Sequence, residues 1–240
     1  MKLFCVGCGP GDPELLTVKA VNLIKTADII FAPTARDGKP SIALSIAESY
    51  MKSSVKTISL VFPMIKDKES LRNHWKRNSD QIAEAVRTGN RVLYLTVGDP
   101  ALYSTWIYIH RELKKNNKDI EIDIVPGIAS MFAFAAKAGM SLAEGEETMA
   151  IVPACYDLAR VKETANSCDT VIFLKDGRYF DNVIEMLSNA GFSDNSVVAI
   201  AQDISSQGEV LELKRLSELR GKKGPVEKYF SIMVVKKNDR

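Results

Sequence analysis

The feature best suited to chemistry is a tripeptide that occurs twice, Gly11-Asp12-Pro13 and Gly98-Asp99-Pro100. Each follows a short apolar run of strand character and precedes a helical pattern. Glycine permits a sharp turn off a strand, aspartate can cap a helix, and proline suits the first helical position, where its missing N–H is not needed. Each Asp is therefore a helix cap or a ligand contact. Position favours the ligand, because both turns stand at carboxyl ends of strands, the edge where open α/β sheets bind ligands. The first turn ends the run Gly7-Cys8-Gly9-Pro10-Gly11-Asp12-Pro13. That run superficially suggests the dinucleotide fingerprint G-x-G-x-x-G. The match fails, since position 12 is Asp and Pro10 interrupts the loop where the helix should begin.

Other reactive residues are few. Cys5 and Cys8 form a C-x-x-C, which invites a zinc or redox reading, but Cys155 and Cys168 lack the matching spacing. A four-ligand zinc site needs a second close pair or histidines. Cys5 also lies in a strand-like run, where a free cysteine behaves as a small hydrophobe. Buried packing is the expectation, with no bound metal. His74 and His110 fall in helical stretches, outside any triad or metal pattern.

These residues need a scaffold. At 240 residues the chain fits one large domain or two small ones. A net charge of +2 recommends neither nucleic acid nor an anionic membrane, and the Lys-rich stretches at 111–118 and 220–228 read as solvated surface. No apolar run reaches the roughly 18 residues of a membrane span. Glycine comes too early, at Gly7, for a secretory signal, and the expected location is the cytoplasm. Strand-like runs at 3–6, 28–31, 55–60, 91–95 and 120–125 alternate with helical stretches at 13–26, 41–51, 68–88 and 100–116. Such alternation predicts a largely parallel sheet. After a helix at 128–138, strands near 149–152, 170–173, 197–201, 210–213 and 229–235 have shorter connections, which predicts a mixed sheet. The polar break near 116–127 divides the chain into two α/β domains, 1–118 and 119–240.

With the motifs placed, a resemblance becomes specific. The run from Gly7 to Thr17 resembles the opening signature of the tetrapyrrole (corrin/porphyrin) methylases. Thr96-Val97-Gly98-Asp99-Pro100-Ala101-Leu102-Tyr103-Ser104-Thr105 resembles their second signature, and Val125-Pro126-Gly127-Ile128-Ala129-Ser130 their interdomain segment. The order and spacing also agree, from residue 3 to about 235. Leu102 to Thr105, Phe62-Pro63-Met64 with Trp75, and Leu142 to Glu146 are similar to the branch that methylates carbon 20 of precorrin-2 or cobalt-factor II. A uroporphyrinogen methylase would show a doubled glycine before Asp99, where this chain has Val97-Gly98.

The resemblance implies S-adenosylmethionine in a cleft between the two domains, a tetrapyrrole in an adjoining trough, and a homodimer. It assigns Val97, Gly98, Asp99 and Leu102 to the cofactor, with Asp99 the main polar contact, and adds Ala129 and Ser130. Looser alignment adds Leu174, Lys175, Ala201 and Gln202, and Pro10 presses the first loop against the cleft. A cation beside a sulfonium is unfavourable, so Lys175 points toward substrate or solvent. Arg36, Lys39, Lys66 and Arg178 are candidates for the substrate carboxylates, each also readable as an ordinary surface charge. Tyr103, expected one turn into the helix after Asp99, is the candidate beside the methyl-accepting carbon; no general base stands out. Competing readings are a methylase of this fold with a macromolecular substrate, as in the diphthamide pathway, a nicotinamide oxidoreductase, and a non-catalytic nucleotide-binding protein.

Overall fold

The computed structural model describes residues 1–153, 157–174, 180–206, 208–221 and 231–237. The chain divides into two compact units, 1–129 and 130–240. The first holds β1 (Lys2–Gly7), α1 (Val18–Thr26), β2 (Ile29–Thr34), α2 (Ile42–Ala47), β3 (Lys56–Val61), α3 (Lys68–Arg87), β4 (Val92–Thr96), α4 (Trp106–Asn116) and β5 (Glu121–Val125). All five strands are parallel, in the order β3-β2-β4-β1-β5. The division expected between residues 118 and 119 falls before β5, but β5 pairs with β1, and the first unit runs on to Ala129.

Alternation along the strands explains why both faces are covered. Leu3 and Cys5 of β1, with Val92 and Tyr94 of β4, pack with Ile82, Val86, Trp106 and Ile109 of α3 and α4. Val6 and Cys8, with Leu93 and Leu95, pack on the other face with Leu23, Ile24 and Ile46 of α1 and α2.

The strand order makes two connections cross. The chain leaves β1 toward β2, past β4, and leaves β4 toward β5, past β1. At the crossing, Gly98 N–H donates to the Gly9 carbonyl at 2.7 Å and Gly9 N–H to the Gly98 carbonyl at 3.3 Å. A Cβ on Gly7 would stand 2.6 Å from Gly127 N and 2.7 Å from the Gly98 oxygen. One on Gly127 would meet the Gly98 oxygen and lie 2.8 Å from the Gly7 carbonyl carbon. Gly7 and Gly127 are therefore required for space. Gly98 is required for conformation, with φ 71 and open space where a side chain would go.

The second unit holds α5 (Ser130–Ala138), β6 (Met149–Pro153), α6 (Leu158–Asn166), β7 (Thr170–Leu174), α7 (Phe180–Ser188), β8 (Val197–Gln202), β9 (Val210–Arg215), α8 (Leu216–Leu219) and β10 (Ser231–Lys236). Its sheet is mixed, in the order β6-β7-β10-β8-β9, with only the β6–β7 pair parallel. Val171, Phe173, Val198, Ile200, Met233 and Val235 pack one sheet face against Val161, Val183 and Leu187 of α6 and α7. No described helix is long and apolar enough to cross a membrane.

Two helix starts differ from expectation. Pro13 opens a three-residue 3-10 turn, and α1 begins only at Val18, capped by Thr17 Oγ1, which accepts Ala20 N–H at 3.1 Å. After Pro100 the helix is delayed to Trp106, because Asp99 caps a turn and its other oxygen is tied elsewhere.

Gly127→Ala tests the crossing. It is expected to lose on the order of 3 kcal/mol in urea unfolding, or not to fold, because only backbone could move aside. Gly38→Ala, where φ is positive (72°) but the surroundings are open, should lose only about 1 kcal/mol.

Candidate functional site

Parallel pairing puts all five strand ends of the first sheet on one edge, and every expected site residue of this unit lies in a loop leaving it. Lys66 follows β3, Arg36 and Lys39 follow β2, Val97 to Tyr103 follow β4, Pro10 follows β1 and Ala129 follows β5. The strand order sorts them: cations over β3 and β2, uncharged residues and Asp99 over β4, β1 and β5. Arg36 and Lys39 are exposed on a turn pinned by Thr34, whose Oγ1 donates to the Arg36 and Lys39 carbonyls at 3.1 and 3.0 Å. Lys66 is exposed, and Pro10 is buried.

The two Gly-Asp-Pro turns share one local bond and differ in another. Asp12 Oδ1 accepts Glu14 N–H at 2.9 Å, and Asp99 Oδ1 accepts Ala101 N–H at 2.7 Å. Only Asp99 reaches further, its Oδ2 accepting Gly127 N–H at 3.0 Å. Its carboxylate thus ties the β4 loop to the segment after β5, and each oxygen keeps a lone pair for a ligand.

Tyr103 is not in a helix, contrary to the expectation of one turn into it. It stands three residues before α4 with φ 47, a left-handed conformation that is rare for a bulky residue and costs on the order of 1–3 kcal/mol. Such strain gathers at ligand contacts and catalytic loops. Tyr103 is exposed at the binding edge, and Leu102 beside it is half-buried.

In the second sheet, β10 is antiparallel to both β7 and β8, so those two strands end on the same edge. Leu174 and Ala201 flank Ile232 of β10, two strand spacings or ~10 Å apart. Leu174, Ala201 and Gln202 are buried. Ser130 opens α5. Lys175 and Arg178 lie outside the described residues.

The sequence reading passed over Ser205, just beyond β8. Its φ is 61, Asp203 nearby has φ 47, and the buried Ser205 hydroxyl has no hydrogen-bond partner among the described residues. Its N–H donates to Glu209 Oε2 at 2.5 Å, and Glu209 pairs with Lys137 of α5 at 2.6 Å. The run from Asp203 to Ser206 has no glycine to mark its left-handed turns, so the sequence gives no sign of them.

The C-x-x-C is split between two cores. Cys5 packs with Tyr94 and Trp106, Cys8 on the opposite sheet face with Leu23 and Ile24, so the pair cannot close on one ion. Burial holds both thiols protonated: Cys5 is pushed well above its ordinary value and Cys8 to about 12. Among the described residues no group of three metal-binding side chains gathers. His110 stacks on Trp106 at 5.6 Å, and burial, then Lys114, lowers its pKa.

Two α/β units, the first carrying both Gly-Asp-Pro turns in its strand-end loops, are the architecture of a class of two-domain methylases. Residues 2–220 match the family described as Tetrapyrrole (Corrin/Porphyrin) Methylases. Over the whole of this chain and 97% of the relative's length, the sequence is 34% identical to that of a Methanocaldococcus jannaschii protein named probable cobalt-precorrin-2 C(20)-methyltransferase. A Salmonella typhimurium protein named cobalt-precorrin-2 C(20)-methyltransferase is 31% identical over 79% of each chain. The fold matches that of the uroporphyrin-III C-methyltransferase of Thermus thermophilus, solved with S-adenosylhomocysteine, with a TM-score of 0.70 and 18% identity over 98% of this chain and 97% of that one. The chain belongs to the tetrapyrrole methylases, and is by class an S-adenosylmethionine-dependent C-methyltransferase.

The buried thiols set a pH dependence. The unfolded chain releases these protons above the ordinary value of 9.0, whereas folded Cys8 holds its proton to about 12. The stability they contribute is therefore intact below pH 9 and lost as pH rises toward 12. Stability to urea should therefore fall as pH rises above 9, and Cys8→Ala should make that fall shallower.

Proposed function

We propose that the chain methylates carbon 20 of precorrin-2 or its cobalt-containing counterpart on the route to a corrin. The observation that carries this reading is the full-length likeness at 34% identity to the Methanocaldococcus jannaschii protein of that name. The proposed setting is a cytoplasmic homodimer with a single small tetrapyrrole substrate and no metal of its own.

The residues over β4, β1 and β5 suit the cofactor. Gly98 leaves bare backbone with nothing within 4 Å of its missing side chain, so a ligand can approach closely. Val97, Leu102 and Ala129 supply apolar surface, and within 97–102 and 127–130 the one charged side chain is Asp99, an anion suited to a sulfonium. Ser130, Leu174, Ala201 and Gln202 complete the proposed set, with Pro10 shaping the first loop.

S-adenosylmethionine supplies a methyl already activated by its sulfonium. The protein's own work is then alignment of the ring carbon and exclusion of water, which are matters of fixed geometry. Asp99 holds two loops in register, and Tyr103 overhangs the same edge as the proposed contact to the ring. Arg36, Lys39 and Lys66 provide cationic donors for the ring's carboxylates, on the half of the edge away from the proposed cofactor residues.

Anaerobic incubation with S-adenosylmethionine and either tetrapyrrole, followed by mass spectrometry, should show a gain of one methyl. No gain on either substrate, with the cofactor still bound, would move the reading to another substrate. Asp99→Ala should weaken S-adenosylmethionine binding about tenfold or more by calorimetry, since two loops lose their tie. Arg36→Ala should raise the substrate KM while leaving cofactor affinity unchanged.

A further inference from the structure

Thr96 closes β4 as a buried residue, and its hydroxyl lies 2.8 Å from that of Ser104, also buried. Ser104 Oγ accepts Trp106 N–H at 3.1 Å, which fixes the start of α4. The next residue repeats the bond: Thr105 Oγ1 lies 3.0 Å from the Tyr94 hydroxyl. Tyr94 and Thr96 stand two apart on β4, so they share a face. Two rungs therefore stitch consecutive loop residues to consecutive same-face positions of the strand.

Tyr103 immediately precedes the first rung. On its other side the backbone is held by Asp99, which accepts Ala101 N–H and through its carbonyl also Leu102 N–H, at 2.7 and 3.3 Å. The chain must pass from this exposed turn to buried Ser104 within two residues. The left-handed φ of 47 at Tyr103 makes that passage. A tyrosine left to itself abandons that conformation, so something must hold it there. The rungs do so, because breaking one strands a buried hydroxyl without a partner.

We infer that Thr96 and Ser104 are positioning residues for methyl transfer, their buried hydroxyl pair holding Tyr103 in place at the binding edge. The inference rests on the reading of Tyr103 as a contact of the methyl-accepting ring. It goes beyond that reading in making turnover, and not cofactor affinity, depend on groups beneath the loop.

The test is a double-mutant cycle in the full chain, pairing Thr96→Val with Tyr103→Gly. Glycine adopts the left-handed conformation without help, so the rung has nothing left to hold. Thr96→Val alone should lower kcat for the tetrapyrrole roughly ten- to a hundredfold, as small misplacements near a reacting centre do. The dissociation constant for S-adenosylmethionine should stay within about twofold, and Thr96→Ser, which keeps the hydroxyl, should restore kcat to within about threefold. In the Tyr103→Gly background Thr96→Val should cost less than about twofold more. Should Thr96→Val not fold, Ser104→Ala takes its place in the cycle. Equal losses in both backgrounds, or cofactor affinity falling in step with kcat, would overturn the inference alone. Wild-type turnover in Tyr103→Gly would remove Tyr103 from the reaction and overturn the reading beneath it.

Discussion

The site depends on the carbonyl of Gly98, wedged where only backbone fits between Gly7 and Gly127. Strand order demands this. With β1 lying between β4 and β5, the chain leaving β4 must pass the end of β1, while the chain leaving β1 passes β4 in the opposite sense. Two connections that cross at strand ends cannot both carry side chains inward. Packing density forbids it, since a single Cβ here meets main-chain atoms that cannot rotate away. The same constraint leaves Gly98 bare on its other side, and bare backbone at a strand end is the surface a ligand can approach most closely. The fold's tightest point and its proposed cofactor surface are one loop seen from two sides.

The division of charge along the edge follows from the same strand order. The crossing occupies β4, β1 and β5, where glycines and small apolar residues are imposed by space. The loops after β2 and β3 lie outside it and are free to carry Arg36, Lys39 and Lys66. A donor that brings its own activated methyl asks little acid–base chemistry of the protein. The described residues agree with that demand: the strongly shifted groups, Cys5, Cys8 and Tyr94, owe their shifts first to burial within the sheet core, not to an array of charges at the edge.

Much of the first unit was legible because parallel strands buried on both faces announce themselves as apolar runs, and because glycine, aspartate and proline have few alternatives to a turn. That holds for β1, β2 and β4, whereas the edge strands β3 and β5 are half-exposed and alternate apolar with polar residues. What escaped were long-range and conformational facts. The tie from Asp99 to Gly127 spans 28 residues and leaves no local pattern. The sequence after Pro100 predicts a helix that starts at once, whereas α4 begins only at Trp106, after the Asp99 turn, a left-handed Tyr103 and two hydroxyl rungs to β4, one of them fully buried. The polar break near 116–127 suggests a domain edge after residue 118, but strand pairing of β5 with β1 outweighs composition. The separation of Cys5 from Cys8 was implicit in strand geometry, since residues three apart on a strand face opposite ways.

The twin tripeptides show how one local motif serves two purposes. Asp12 and Asp99 make the same bond to the amide two residues on, and for that bond asparagine would serve as well, its single carbonyl oxygen accepting one N–H. At Asp99 two separate amides, Ala101 and Gly127, approach the two oxygens, and an asparagine would turn its NH2 toward one of them. Only a carboxylate accepts at both ends. The anion at the edge is thus required by the backbone before any ligand arrives, and on the proposed reading a sulfonium-bearing donor would meet a negative charge that the fold already needed. Asp12, with one such amide, carries no comparable demand, so the two halves of the repeat diverge in role although their sequences agree.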